Sequence, residues 1–319
     1  MNYKPIIIVA GEPNSIFFEL FFDVINKKIK SPIILIASKK LIIKQAKILK
    51  KKISFNTISE FETIKNKNNL KKINLIDIDF KQKSGFSKIT SKSNDYINTC
   101  FNVAIKLLKN NVSNKLINGP ISKKNFLKKK FNGITEFLAA KTNTKKFAMI
   151  IYNKNLSVCP LTTHLPIKNV SKKINKLEII NKVNLINNFW EKKFKKKVKI
   201  GITGLNPHCE SSNNFNEDNK IIIPAIRKLK KLKYDIEGPY AADTIFLKNN
   251  RKKFDLIIGM YHDQVLAPIK TLFEYDAINI TIGLPFIRVS PDHGPNETML
   301  GKNKSNSLSL LNSIKFLDF

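Results

Sequence analysis

The stretch PIIIVAGEPNSIFFELFFDVINKKI, residues 5–29, sets the fold class. Its first six residues, Pro5 to Ala10, form a short run rich in β-branched side chains that stops at Gly11, as a buried strand does. From Ser15 to Ile29 apolar residues recur at helical spacing, so a strand, a loop and a helix follow one another. The same order repeats outward along the chain. Pro32–Ala37 predicts a strand leading into a basic helix over Leu41–Lys51, and Ile73–Ile78 predicts another strand. A long amphipathic helix is expected over about Ser93–Lys109, where Ile97, Phe101, Ala104, Leu107 and Leu108 share one face. Leu116-Ile117-Asn118 runs into Gly119-Pro120, which stops pairing, and Ser122 can cap the next helix. Phe147–Tyr152 and Leu156–Thr162 flank Asn153-Lys154-Asn155 and predict a hairpin. A helix reaching about Lys195 is expected after His164, then a strand at Val198–Thr203, a helix over Glu217–Lys233, and strands at Asp255–Met260 and Ile278–Ile282. Such alternation implies an α/β architecture with a largely parallel sheet.

At 319 residues the chain suits two domains at about 150 residues each. A break near Gly133 and a return near Leu284 are expected, giving one domain of residues 1–132 plus 285–319 and a second of residues 133–284. The hydrophobic content of 42% supplies enough apolar surface for packed cores, which excludes a disordered chain. A net charge of +33 raises nucleic acid or an anionic membrane as partners. The make-up of that charge argues against both. Arginine occurs only at Arg227, Arg251 and Arg288, and the lysines are spread through almost every segment beside Asn and Ile. A nucleic-acid face relies on arginine forks and stacking aromatics. Runs such as Lys50–Lys52 and Lys195–Lys197 read as solvated helix ends, although the charge still attracts anionic small molecules. Cys100, Cys159 and Cys209 are odd in number and far apart, which indicates neither a disulfide framework nor a thiolate zinc site. No run approaches the ~18 apolar residues of a membrane span, and Pro5–Ala10 is too short for a signal peptide. A cytoplasmic protein with no membrane partner is expected.

The chain has four histidines, set in TTHLP, NPHCE, MYHDQ and PDHGP, whereas the lysine-rich helices have none. His164, His208 and His262 each follow an expected strand. In open α/β sheets the ligand crevice lies outside the carboxyl ends of strands, so three imidazoles from distant parts of the chain can converge there. Three histidine ligands leave coordination positions open, which suits a catalytic divalent metal. Taken singly, a histidine is more often a capped loop residue or hydrogen-bonded filler than a ligand, and it is the joint pattern that points to the metal. Lys270, Asn279 and Arg288 form a second group. A guanidinium retained in a chain that otherwise uses lysine suits bidentate binding of carboxylate or phosphate, the alternative being a surface ion pair. Asp243 reads either as a helix N-cap or as an acid projecting into a cleft.

The motifs GEPNSI at Gly11, NGPISK at Asn118, GITEFLA at Gly133, LTTHLP at Leu161, GLNPH at Gly204, GPYAADTIF at Gly238, and MYHDQVLAPIK through NITIGLPFIRVSPDHG occur in order. Together they resemble the 4-hydroxythreonine-4-phosphate dehydrogenase family of pyridoxal phosphate biosynthesis, from residue 5 to about 316. The resemblance implies a two-domain fold like that of isocitrate and isopropylmalate dehydrogenases, with the active-site cleft between domains. It also implies a homodimer with a divalent metal (zinc, magnesium or cobalt) near the dimer interface, and oxidation of the 3-hydroxyl of 4-phosphohydroxy-L-threonine by NAD or NADP. The resulting 3-oxo acid loses carbon dioxide and gives 3-amino-2-oxopropyl phosphate. The residues carried over are His164, His208 and His262 as metal ligands, and Thr135, Lys270, Asn279 and Arg288 as substrate contacts. Lys270 and Asp243 are the implied catalytic groups, and Asp292, His293, Gly294 and Gly301 the cofactor loop.

Four departures accompany this likeness. Ser15, Phe17 and Phe18 stand in the family's glycine-rich turn after the first strand, and Ile134 stands where Gly-His-Thr-Glu has its histidine. Ser211–Asn214 replaces a glycine-rich run, and Pro295–Leu300 departs from the family's cofactor loop. Two other functions therefore stay open: a related dehydrogenase of 4-phosphorylated threonate or erythronate, and a basic binding protein that has lost turnover.

Overall fold

A computed structural model of the chain describes residues 3–66, 70–127, 130–210 and 215–319. Two compact units emerge, Met1–Leu138 with Pro285–Phe319, and Ala139–Leu284. The strands in chain order are β1 (Ile6–Val9), β2 (Ile33–Ala37), β3 (Asn56–Thr57), β4 (Ile73–Asp77), β5 (Lys115–Asn118), β6 (Ala148–Tyr152), β7 (Ser157–Thr162), β8 (Ile200–Thr203), β9 (Ile236–Tyr240), β10 (Leu256–Tyr261), β11 (Ile278–Ile282) and β12 (Ile287–Pro291).

In the first unit the order is β3-β4-β2-β1-β5-β12, all parallel. A parallel sheet is covered on both faces, which is why β1 reads IIIV with every side chain buried. The helix Phe17–Val24 is apolar nearly all round and correspondingly buried. It starts later than the spacing from Ser15 suggests. Ser15 is held in the preceding turn, its hydroxyl donating to the Glu12 carbonyl at 2.7 Å and accepting from the Phe17 amide at 3.3 Å. Gly11 and Gly119, at the ends of the adjacent strands β1 and β5, interlock: the Glu12 amide donates to the Pro120 carbonyl at 2.8 Å, and the Gly119 amide to the Val9 carbonyl at 2.8 Å.

Lys115 is only 1% exposed although it stands in a strand. Its ammonium donates to the backbone carbonyls of Lys4 and Phe319 and lies 4.4 Å from the centre of the Phe319 ring. Burial pulls its pKa down to about 8, against an opposing pull from Asp318 and with a further push from Lys4. The unfolded chain keeps this proton up to about 10.5. Between those values the unfolded state binds more protons, so the contribution of this site to stability rises with pH. Denaturant unfolding at pH 7.5 and pH 9.5 should therefore show the wild type gaining stability relative to Lys115→Met, and equal differences at both pH values would refute the assignment.

In the second unit the order is β11-β6-β7-β10-β8-β9. β6 is antiparallel to both β11 and β7, whereas β7, β10, β8 and β9 run parallel. Met149, Ile151, Val158, Ile257, Val265 and Ile269 belong to a buried core cluster on this sheet. The hairpin expected at Asn153-Lys154-Asn155 is present, with the Asn153 side chain accepting from the Asn155 amide at 2.9 Å. The single helix expected up to Lys195 is instead two, Val170–Lys173 and Lys176–Phe194, because Asn175 caps the second by accepting from the Glu178 amide. The stretch expected as a helix over Glu217–Lys233 opens with a π-helical turn at Asp218–Ile222 and continues as Ile223–Lys231, with Pro224 in its first turn, where no amide donor is needed. β3, β9 and β12 are additional to the strands expected from sequence.

Candidate active site

The second unit brings the ends of three parallel strands to one edge, in the order β7-β10-β8. His164 stands two residues beyond β7. His262 follows β10 directly and opens the helix His262–Phe273. His208 lies in the turn Pro207–Cys209 beyond β8. The rings of His164 and His262 have centroids 5.8 Å apart. Asp263 Oδ1 lies 2.7 Å from His262 Nδ1. With Nδ1 donating to that carboxylate, Nε2 carries the lone pair, the arrangement that orients a metal-binding imidazole.

The turn carrying His208 is built separately. Gly204 donates its amide to the Tyr240 carbonyl at 2.9 Å. The carboxylate of Asp218, fully buried, accepts from the Leu205 amide at 2.8 Å, the Asn206 amide at 3.2 Å and the Asn206 side chain at 2.9 Å. A Cβ on Gly204 would come within 2.6 Å of that carboxylate, so the glycine of GLNPH makes room for the acid that pins the turn. The sequence reading passed over Asp218, which looks like one acid at the start of a helical stretch. Its signal was the pairing of a glycine-initiated turn with a downstream acid, visible only once the chain is folded.

Among the described residues no three His, Cys, Asp or Glu side chains are grouped closely enough to hold a metal ion. His164 and His262 come together, and His208 stands outside that pair. The donor chemistry still fits a divalent ion: imidazoles on neighbouring strand ends, one of them oriented by a carboxylate.

Asp243 is exposed in the first turn of the helix Ala242–Ile245, whose N-cap is Ala241, so Asp243 does not cap it. It lies beside the His208 turn. Burial raises the Cys209 thiol pKa, Asp218 adds to the rise, and Asp243 contributes a smaller share. Lys270 is half-buried eight residues along the helix from His262, about 12 Å at the helical rise. Asn279 pairs with Ile151, which pairs with Val158 near the start of β7. Thr162, at the other end of β7, is four residues away, about 13 Å. Within this unit Asn279 is therefore at the opposite end of the sheet from the histidines.

The first unit holds the remaining residues. The sequence placed Arg288 in a segment beyond the last expected strand. It lies instead inside β12, opposite Leu116 of β5, and is 1% exposed. A guanidinium amid IRVSP masked the strand pattern, and its burial removes the surface ion-pair alternative. Its Nε donates to Asn118 Oδ1 at 2.6 Å. Burial lowers its pKa to about 9, while the charge of Glu136 acts in the opposite direction. Glu136 follows the buried Thr135 in the helix Ile134–Lys141, so GITE and NGP supply neighbours of Arg288.

In the expected cofactor loop, the Asp292 amide donates to Ser309 Oγ at 2.9 Å, His293 Nδ1 lies 3.0 Å from the Gly294 carbonyl, and Gly301 takes a left-handed φ of 72° beside Phe86. The altered part of this loop rests on the altered turn after β1, with the Ile16 amide donating to the Pro295 carbonyl at 3.1 Å. Glu297 accepts from the Ile89 amide at 2.8 Å. The remaining departure, Ser211–Asn214, lies outside the described residues.

Comparison with known proteins settles the family. The family model described as pyridoxal phosphate biosynthetic protein PdxA matches residues 28–317. The chain belongs to the PdxA family. Among curated PdxA relatives, a 4-hydroxythreonine-4-phosphate dehydrogenase from Sulfurihydrogenibium is 36% identical over 314 residues, covering 97% of this chain and 95% of that one. A D-threonate 4-phosphate dehydrogenase from Salmonella typhimurium is 30% identical over 231 residues, 72% of this chain and 71% of that one. The solved structure of 4-hydroxythreonine-4-phosphate dehydrogenase from Klebsiella pneumoniae matches with a TM-score of 0.83 at 25% identity, covering 98% of both chains. An isocitrate dehydrogenase from Methylococcus capsulatus shares the fold alone, with a TM-score of 0.50 at 9% identity over 97% of this chain and 83% of that one. The α/β class and the likeness to isocitrate dehydrogenases expected from the sequence are thus found. No helix among the described residues is long and apolar enough to cross a membrane.

Proposed function

We propose that this chain is a divalent-metal-dependent dehydrogenase, linked to NAD or NADP, that oxidises the 3-hydroxyl of 4-phosphohydroxy-L-threonine in pyridoxal 5'-phosphate biosynthesis. The observation that carries the reading is the His164–His262 pair, 5.8 Å apart with Asp263 on His262, in a PdxA-family chain. The names of its relatives support the substrate. His164, His208 and His262 would hold the cation, in a homodimer with the site near its interface. When bound, the metal would supply a Lewis acid for the substrate hydroxyl and then carbonyl oxygen, and the nicotinamide a hydride acceptor.

The chain's own groups do the rest. Lys270 and Arg288 offset the negative charge of phosphate and carboxylate, and Thr135 hydrogen-bonds the substrate; Asn279, at the far end of the sheet from its own chain's histidines, would do so at a site completed across the homodimer interface. Asp243 and Lys270 exchange protons with it. C3 loses a hydride and its hydroxyl loses a proton, which gives the 3-oxo acid. The bond from the carboxylate to C2 then breaks, carbon dioxide leaves, its electron pair passes into an enolate, and protonation at C2 gives 3-amino-2-oxopropyl phosphate. Asp292, His293, Gly294 and Gly301 form the loop that would receive the dinucleotide.

A second reading, oxidation of a 4-phosphorylated threonate or erythronate, is motivated by Ile134 and by the D-threonate 4-phosphate dehydrogenase among the relatives. Formation of NADH or NADPH with Zn²⁺, Mg²⁺ or Co²⁺ should favour 4-phosphohydroxy-L-threonine in kcat/KM. Ile134→His should raise that constant by about tenfold, the effect of one added polar contact to substrate. No turnover across these metals and both cofactors would end the proposal, and a preference for the threonate would select the second reading.

A further inference from the structure

We infer that Gln264 is a positioning residue whose single carboxamide latches the ends of β10 and β8, which carry His262 and His208, while the Thr162 hydroxyl ties the end of β7, which carries His164, to the same Met260. The inference rests on the metal reading above and concerns a side chain outside the ligand set. Gln264 stands in the first turn of the helix His262–Phe273 and is buried. Its Oε1 accepts from the Met260 amide at 2.6 Å and from Thr203 Oγ1 at 2.8 Å, and its Nε2 donates to the Gly204 carbonyl at 2.8 Å. On the other side of β10, Thr162 Oγ1 donates to the Met260 carbonyl at 2.8 Å. Met260 is thus tied through its amide to the latch and through its carbonyl to the end of β7.

Each bond falls beside a histidine. The Met260–Gln264 bond closes a turn around Tyr261, His262 and Asp263, and so sets the direction in which His262 leaves its strand. Thr203 and Gly204 are the root of the turn whose other contacts, through Asp218, lead to His208. Thr162 stands two residues before His164. An amide can do this because it offers two lone pairs and a donor in one plane. Asparagine is one methylene too short to span the strands, and glutamate would set a second acceptor against the Gly204 carbonyl. Gly259 completes the arrangement, since a Cβ there would lie 2.4 Å from Val265 Cγ1 and 3.1 Å from Gln264 Oε1.

A latch that only supported the fold would change melting temperature and leave metal affinity alone. A latch that aims the histidines changes affinity in protein that is fully folded. The test titrates the full-length wild type, Gln264→Met and Ile226→Val with Zn²⁺ and Co²⁺ below their melting temperatures, and follows the visible Co²⁺ spectrum. Gln264→Met keeps the side-chain volume without the hydrogen bonds, and Ile226→Val trims the same unit's core away from the strand ends. Gln264→Met should weaken metal binding by about 10- to 100-fold, the range for groups that orient ligands, and alter the Co²⁺ bands. Ile226→Val should bind as the wild type does. Should Gln264→Met fail to fold, Thr203→Val removes one of the three bonds and should weaken binding by about threefold or more. Affinity within twofold of wild type in the folded Gln264 or Thr203 variant overturns the latch and leaves the metal reading standing. A wild type that binds neither ion overturns the metal reading and the latch with it.

Discussion

His262→Ala should abolish divalent-metal binding and lower kcat/KM by roughly 10³-fold or more, because a bound metal supplies several kcal/mol of charge stabilisation and each 1.36 kcal/mol is tenfold in rate. The fold should hardly notice. His262 keeps 37% of its side-chain surface exposed, and its partner Asp263 keeps 82%. Removing an imidazole from such a position falls within the roughly 0.5 kcal/mol typical of surface substitutions. The two consequences together separate a ligand from a structural loop residue. The measurements are a metal titration, NADH or NADPH formation with saturating metal, and the urea midpoint. Wild-type metal affinity in this variant would remove the histidine from the catalytic reading, whereas a large fall in the midpoint would make it a structural residue.

Gly119→Ala should have the largest effect on stability. The added Cβ would lie 2.1 Å from the Ala10 carbonyl oxygen and 2.7 Å from Phe17 Cδ2. The first of these neighbours is backbone at the end of β1, which cannot swing aside as a side-chain tip can. Gly11 opposite is held at φ 81°, and its own Cβ would meet the Pro120 carbonyl at 2.4 Å, so neither turn has room to retreat from the other. The expected cost is at the upper end of the roughly 1–3 kcal/mol of overpacked sites. Gly294→Ala is the matched control, because nothing lies within 4 Å of a Cβ there. Urea unfolding should show a clear drop in midpoint for Gly119→Ala and none for Gly294→Ala; equal midpoints would mean that the turns yield.

Local patterns carried much of this architecture. β1, β2, β4, β5, β6, β7, β8, β10 and β11 were legible because short apolar runs rich in β-branched residues and bounded by turn residues have few other uses. Helix ends were less so. Ser15 and Asn175 bond locally to backbone amides, and such competition delays or interrupts a helix without disturbing its apolar spacing. β12 was hidden by Arg288, whose burial depends on Asn118, 170 residues away. The histidines stood out through their scarcity and their place after strands. What holds them did not, since Asp218 and Gln264 act through backbone groups of residues brought near only by the parallel pairing of β8 with β10. The family likeness singled out residues that a pattern of spacing could not have joined.

The hydrogen bond from the Ile16 amide to the Pro295 carbonyl joins two of the segments in which this chain departs from its family's pattern, the turn after β1 and the loop after Gly294. They are 279 positions apart in sequence and adjacent in space. Both ends of this bond are main-chain groups, so the footing of the loop depends on the path of the turn's backbone, and a change that moves the main chain of either segment is felt by the other. The turn and the loop are thus one mechanical piece made of two distant stretches of chain.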